Sequence, residues 1–468
     1  MKKIAACCAI LGIILLCLGN ANALEVRITR DKLSVRANQD PLQSILERMA
    51  DIGITVRIDP RLNPKISASF EERDIKEGLD SILKSLDHVL IWEFIKGPLG
   101  PIPKLAEIHV FEPGRKDLMR PLVTRSTLPI AIDPGDGSLF VKDEILVRLR
   151  KGISLKEFEE LLRQIGGIVV DSNAAVGIYK IRLPQDTDVR SIIEKIGNHP
   201  GIARAEPDYA YPISASYKSR SPAPSNAAFS NTSGLVDGEP IAVLDTGLSP
   251  ESGLGPLVLS SLDSLNPDGQ LSDSLGHGTQ MALIASGIVT PDGAGTASDE
   301  LTPLIAIRAF DDNGFTSDFH IMRSIDFAID NGARIMSLSW GSETRSEFLE
   351  KYLEYASSRG LFIIAAAGNE PTGRPVYPAA YPSVQGIGAL DPDGKPWVKS
   401  NYGDFVKLYA PGFATLPVGY KGDPGIYAGT SISTAFVANF IANYLDKNPK
   451  ATTQEVLDAV SGRFSISD

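Results

Sequence analysis

Four short runs constrain this chain more than any other feature: IAVLD from Ile241, LIAIRAF from Leu304, RIMSLSW from Arg334 and LFIIAAA from Leu361. Each is apolar at consecutive positions, where a strand with one wet face would alternate, so each must be covered on both sides. Helix-like stretches separate them, at His277 to Ile288, Phe319 to Asp330 and Glu347 to Arg359. Strands buried on both faces and alternating with helices make a doubly wound parallel sheet, so residues 235–468 read as an α/β domain. The 468-residue chain has room for two to four domains at roughly 100 to 200 residues each.

Two smaller α+β modules precede that domain. In residues 24–120 the strand-like pieces LEVRIT, KLSVRA, ITVRI, KISASF, VLIWEFI and AEIHVF surround helices predicted at Pro41 to Asp51 and Ile75 to Leu86. Leu42, Ile45, Leu46 and Met49 recur at helical spacing, as do Leu79, Ile82, Leu83 and Leu86, so each helix buries one stripe. This order, with the stretch DPLQSILERMADIGITVRIDP, resembles the short domain at the N-terminus of secretins and TonB-dependent receptors. The resemblance implies an envelope protein partner for residues 25–112, with a folding or spacer role as the alternative.

A connector from Pro121 leads to residues 144–212, which read strand, helix, strand, strand, helix, strand. That order suits a ferredoxin-like unit. Its helices are predicted at Ser154 to Ile165 and Thr187 to Ile196, and its last strand lies in GIARAEPDYAYP. Residues 213–234 are rich in Ser, Ala, Pro and Asn and read as a flexible, protease-accessible linker.

At the start, Lys2 and Lys3 precede an apolar run from Ile4 to Leu18, followed by Ala21, Asn22 and Ala23. Residues 1–23 therefore read as a secretory signal cleaved after Ala23, which places the protein in the periplasm or outside the cell. The apolar run is about 15 residues, short of the ~20 needed to span a bilayer. Cys7, Cys8 and Cys17 all lie in this leader, so its removal leaves no disulfide, thiol nucleophile or thiolate metal ligand. A net charge of -11 disfavours nucleic acid as a partner, because phosphate binding needs excess cations.

Four candidate residues for chemistry fall in the last domain. Asp245 closes the strand IAVLD, where a carboxylate shielded from water can orient a histidine. His277 stands between Gly276 and Gly278 at the start of an apolar helix, with its imidazole open to a ligand, and is the candidate base. Asn369 follows the strand LFIIAAA, where a fixed amide donor can stabilise an oxyanion. Ser431 opens the helix in YAGTSISTAFVANFIANYL, beside backbone donors at the positive helix end. Singly, each has a bland explanation as a turn former, a helix cap or a packed polar group. Together, the order Asp, His, Asn, Ser is one of the known arrangements of the serine, histidine and aspartate triad.

The motifs AVLDTG, GHGT, AAAGNE and AGTSIST, with YPSVQGIGAL and LYAPG, strongly resemble the subtilisin-like serine peptidases over roughly residues 235 to 460. The resemblance implies a subtilisin-like parallel-sheet catalytic domain preceded by two small α+β domains, with Asp245, His277 and Ser431 catalytic and Asn369 in the oxyanion hole. It further implies that Ser339, Trp340 and Gly341 line the polypeptide substrate. It makes residues 144–212 the enzyme's own propeptide, an intramolecular inhibitor released by self-cleavage between Pro212 and Gly234. No cofactor is required for this chemistry. Structural calcium is left open, since TPDGAGTASDE differs from the calcium loop of many relatives and Asp311 and Asp312 supply too few oxygens.

Some positions depart from the family pattern. Gln280 stands where a second histidine is usual, and Ile432, Ala435 and Phe436 replace the usual methionine, proline and histidine. None of these removes a proton-transfer group. Losing the proline bears on how the first helical turn presents Ser431. A catalytically weak envelope interaction protein, working through its N-terminal module, is the rival reading. An esterase is disfavoured because GTSIS lacks the second glycine of a nucleophile elbow, and a zinc peptidase because no histidine pair has ligand spacing.

Overall fold

The computed structural model describes residues 24–465, leaving out 30–31, 51–53, 85, 98, 123–126, 215–216, 219–236, 268, 296–300 and 419–423. The predicted leader and most of the predicted linker lie outside the described residues. Residues 24–94 and 103–124 form one compact unit, and residues 95–102 and 125–468 form another.

In the first unit, helices Leu42–Ala50 and Ile75–Leu83 bury Leu42, Ile45, Leu46 and Met49, and Ile75, Leu79, Ile82 and Leu83. Asp74 accepts from the backbone N–H groups of Lys76 and Glu77, which caps the second helix where it begins. A three-stranded sheet joins Glu25–Thr29, Lys32–Pro41 and Lys65–Asp74. A four-stranded sheet runs in the order Asp87–Gly97, Gly100–Phe111, Thr55–Ile58, Arg120–Pro121.

The second unit opens with a hairpin that the sequence reading assigned to a connector: Ile130–Ile132 pairs with Leu139–Leu149. It then adds helix Leu155–Ile165, strands Ile168–Asn173 and Ile178–Arg182, helix Val189–Gly197 and strand Ile202–Pro212. Ser154 and Glu157 close a reciprocal capping box on the first helix, and Gly166 ends it in the left-handed region at φ 65°. The four main strands order as Ile168–Asn173, Ile178–Arg182, Leu139–Leu149, Ile202–Pro212, all antiparallel, which is the ferredoxin-like arrangement.

A seven-stranded parallel sheet follows, in the order Val258–Asp263, Leu304–Arg308, Ile241–Asp245, Ile335–Leu338, Phe362–Ala366, Val384–Leu390, Val406–Pro411. The consecutive apolar residues divide between its faces. Ala242 and Leu244 join one core with helices Asp318–Asp330 and Glu347–Ser358 and with Phe158, Tyr179 and Tyr211 of the preceding module. Ile241 and Val243 join the other, with helices His277–Ala285, Thr430–Lys447 and Thr453–Phe464. The His277 helix ends earlier than its apolar sequence predicts, because Gly287 turns left-handed at φ 81° and the Val289 N–H folds back to the Leu283 carbonyl. Phe464 meets Phe436 and Phe440 edge-on at 6.0 and 5.1 Å, covering the outer side of the Ser431 helix. The sheet thus places Asp245, Ser339 and Asn369 at or just beyond the carboxyl ends of its central strands, the edge where open α/β sheets form ligand crevices.

Candidate active site

Asp245 and His277 come from different elements, and two glycines let those elements meet. A Cβ on Gly278 would sit 2.3 Å from the Gly247 carbonyl oxygen, and one on Gly247 would sit 2.0 Å from that of Ser272. Gly247 also holds φ at +116°, which a side chain disfavours. The turn after Asp245 therefore lies backbone to backbone against the first turn of the His277 helix. His277 Nδ1 reaches Asp245 Oδ1 at 2.7 Å, and both residues are buried.

A second carboxylate, which the sequence reading missed, ties these pieces together. Asp273 Oδ1 accepts from the Gly276 N–H at 2.7 Å and the Thr246 hydroxyl at 2.8 Å. Its Oδ2 accepts from the Thr279 N–H at 2.8 Å and the Thr279 hydroxyl at 2.7 Å. Thr246 Oγ1 in turn accepts from the Gly278 N–H at 2.8 Å. An aspartate four positions before a histidine at a helix start was the available signal, and alone it reads as an ordinary turn residue.

Burial is the largest influence on the His277 imidazole and pushes its pKa down. The Asp245 charge and hydrogen bond, with the Asp273 charge, outweigh it and raise the pKa above the usual 6.5. The far nitrogen, Nε2, is buried and has no hydrogen-bond partner among the described residues.

Ser431 lies in the first turn of Thr430–Lys447, fully buried, on a helix that packs against the His277 helix. Its hydroxyl donates to the Ser339 carbonyl at 3.2 Å, so in this arrangement the nucleophile candidate is turned to the Ser339 strand. Asn369 is fixed through its carboxamide oxygen, which accepts from the Thr430 N–H at 2.9 Å and the Thr430 hydroxyl at 3.1 Å. Its NH2 end is the one turned away from Thr430. Gln280 is buried and donates to the Val418 carbonyl at 3.0 Å, which makes it a packing residue. With Ala435 in place of proline, the Ser431 helix runs unbroken over 18 residues.

The segment Ser339, Trp340 and Gly341 faces the end of the preceding module. Ala210, Tyr211 and Pro212 pair antiparallel with Ser317, Thr316 and Phe315. Ile213 donates to the Gly314 carbonyl at 2.8 Å and bridges antiparallel to Trp340 on its other side. Ile213 thus lies between Gly314 and Trp340. Upstream of it, Glu206 accepts from the Phe348 N–H at 3.4 Å and Asp208 from the Phe319 N–H at 3.1 Å, so each acid sits at the start of a surface helix.

Asp311 spends its oxygens on the N–H groups of Leu128, Asn313 and Phe315, and Asp312 pairs with Arg308 at 2.9 Å. Among the described residues, no three potential ligand side chains stand close enough together to hold a metal ion. His320 is half-buried on the helix Asp318–Asp330, outside the cluster at Asp245.

Residues 237–461 match the subtilase family, and residues 128–208 match the fervidolysin N-terminal prodomain. A thermophilic serine proteinase of Bacillus sp. (strain AK1) is 29% identical over 314 residues, or 65% of this chain and 78% of that protein. Subtilisin Savinase of Lederbergia lenta is 32% identical over 223 residues, or 47% of this chain and 80% of that protein. The chain belongs to the subtilase family: it is a subtilisin-type serine endopeptidase carrying a fervidolysin-like prodomain. Its fold is shared with fervidolysin from Fervidobacterium pennivorans, a keratinolytic enzyme related to subtilisin, at a TM-score of 0.54 and 23% identity. That likeness covers 70% of this chain and 58% of fervidolysin.

The glycine contact generates a prediction. Gly278→Ala forces a methyl group into the Gly247 backbone, which must shift by about 1 Å, and displacement on that scale costs on the order of 100-fold in rate. Peptide hydrolysis by Gly278→Ala and by the parent protein, with circular dichroism to verify folding, checks it.

Proposed function

We propose that Ser431 is the nucleophile of a zymogen endopeptidase, with His277 as its general base, Asp245 as the support of that base, and Asn369 with the Ser431 N–H as the oxyanion hole. The observation that carries this reading is the buried Asp245–His277 pair, whose outward nitrogen has no hydrogen-bond partner among the described residues and lies on a helix packed against the one that Ser431 opens. Rotation about the Ser431 Cα–Cβ bond turns its hydroxyl from Ser339 to the imidazole. Ser431 Oγ then attacks the peptide carbonyl as Nε2 takes its proton, and Asp245 stabilises the imidazolium. The carbonyl oxygen, now an anion, takes hydrogen bonds from the Asn369 NH2 and the first-turn amide. Collapse gives an acyl-enzyme as Nε2 returns the proton to the leaving amine, and water frees the acyl group by the same steps reversed.

In this reading, residues 144–212 with their flanking hairpin are the inhibitory prodomain, and residues 235–468 are the peptidase domain. The tail Ala210–Ile213 takes the place of an extended substrate along Ser339, Trp340 and Gly341. Antiparallel register sets the bond to be cut. Ile213 opposite Trp340 puts Ser214 opposite Ser339, whose carbonyl holds the Ser431 hydroxyl. Self-cleavage then falls at Ser214–Ala215, inside the expected linker.

The leader and the extracellular character that some relatives' names carry, such as minor extracellular protease Epr of Bacillus subtilis, support secretion. The N-terminal unit, with its resemblance to the secretin and TonB short domain, serves as the docking module for an envelope protein. Its edge strand Asp87–Gly97 exposes Trp92 and Phe94, two positions apart on one face, an apolar pair of the sort that recruits a partner.

Four outcomes follow. A fluorophosphonate probe labels Ser431, and labelling is lost in Ser431→Ala and His277→Ala; persistent labelling in Ser431→Ala refutes the nucleophile. Because His277 must be neutral to act, kcat/KM falls on the acid side with a midpoint above 6.5, and Asp245→Asn lowers the rate on the order of 10^4-fold. Burial, reinforced by Glu144 and opposed by Lys180, pushes the Asp208 carboxyl up to about 6, and burial raises Glu206 as well. Both protonate more readily docked than free, so docking is favoured at low pH and weakens as pH rises through about 6. The cleaved prodomain should leave the enzyme faster at pH 8 than at pH 5, measured by size-exclusion chromatography; equal rates count against it.

A further inference from the structure

The prodomain tail inserts one side chain deeply. Tyr211 is fully buried, its ring centroid 5.1 Å from that of Trp340 at 39°, and Phe310 closes on the same indole at 6.1 Å. At the far end the Tyr211 hydroxyl donates to Asp318 Oδ1 at 2.6 Å. Asp318 is itself fully buried, in the first turn of the helix Asp318–Asp330, and its neighbours include Asp208 and Glu206, so its carboxyl is pushed well above the usual range, burial being the largest cause. A carboxyl group in such a place is costly unless a donor reaches it. Nothing in the proposed proton-transfer steps uses it. Asp318 and Trp340 belong to the peptidase domain and remain there when the tail leaves, whereas Tyr211, Glu206 and Asp208 leave with it.

We infer that Asp318 and Trp340 form a specificity pocket that selects substrates bearing tyrosine three residues before the acyl-donating residue, the spacing of Tyr211 from Ser214. This rests on the peptidase reading above and names the substrate class for it. The indole supplies a flat apolar wall that any aromatic ring can use. The carboxyl group separates tyrosine from phenylalanine, because a phenylalanine ring seals the pocket without supplying the hydroxyl donor and leaves Asp318 with the Ser346 side chain as its remaining hydrogen-bond partner. Sites built to bond a substrate hydroxyl reject the analogue lacking it for this reason. Asp318 is thus a specificity residue with no part in bond cleavage.

The test uses active enzyme obtained by self-processing of the full-length chain. Two internally quenched peptides copy residues 210–217, Ala-Xaa-Pro-Ile-Ser-Ala-Ser-Tyr, with tyrosine or phenylalanine at Xaa. The tyrosine peptide should be cleaved with kcat/KM on the order of tenfold higher. In Asp318→Asn the ratio of the two should move towards one, a change that a purely structural role would not produce. Equal cleavage of the two peptides by the parent enzyme, or faster cleavage of the phenylalanine peptide, overturns the inference while leaving the peptidase intact. A tyrosine preference that survives in Asp318→Asn overturns the role of Asp318. Failure to cleave either peptide, together with no fluorophosphonate labelling of Ser431, removes the peptidase reading and this inference with it. Because the first comparison needs only the parent enzyme, it stands even if Asp318→Asn does not fold.

Discussion

A hydrogen bond between an imidazole and a carboxylate is useful only if the two cannot drift apart, and here that rigidity is supplied by main chain. Gly247 and Gly278 touch without side chains between them, so the loop leaving the central strand and the helix beginning at His277 move as one body. Asp273 then bonds to both, through Thr246 on the loop side and through Gly276 and Thr279 on the helix side. The parallel sheet beneath contributes the fixed strand end. Asp245 bonds its neighbour Thr246 N–H with the same oxygen that meets His277, so the carboxylate has little rotational freedom left. Preorganisation of this kind is what lets a buried charge act without first reorganising its surroundings.

Much of the architecture was legible because it rests on periodicity. Runs such as IAVLD and LFIIAAA could be stable only as doubly covered strands, and stripes such as Ile45 and Met49 could only face a core. Asp245, His277, Asn369 and Ser431 stood out by their motifs, and the fold gathers the elements that carry them at one edge of the sheet. Three features were not legible. Asp273 looks like any turn aspartate until its four donors are seen. The strand Ile130–Ile132 hides in a proline- and glycine-rich stretch, because its partner Val141 is set by tertiary pairing. The Tyr211–Asp318 contact joins residues 107 apart, each unremarkable in its own segment.

The junction between the ferredoxin-like module and the sheet domain is unusually acidic for a buried surface. Glu206 and Asp208 lie on helix starts, and Asp318 lies close by under Tyr211. Lys180 stands 2.7 Å from Glu144 and 3.5 Å from Asp208, Arg182 also pairs with Glu144, and Arg204 reaches Glu206 at 2.5 Å and Glu347 at 2.9 Å. Burial outweighs Lys180 at Asp208, which leaves the interface sensitive to that carboxyl group's proton. The same contacts that hold the two modules together therefore provide a means of loosening them.

On the far side of Ser214, Tyr217 and Lys218 pair with Ala428 and Tyr427, the last residues of the strand that delivers Gly429 and the Ser431 helix. The chain is thus anchored on both flanks of the bond that Ser431 would attack. A bond presented in this way behaves as a tethered reactant whose encounter with the hydroxyl owes nothing to diffusion. Maturation would then be a first-order event timed by folding, and diluting the protein would leave its half-time unchanged.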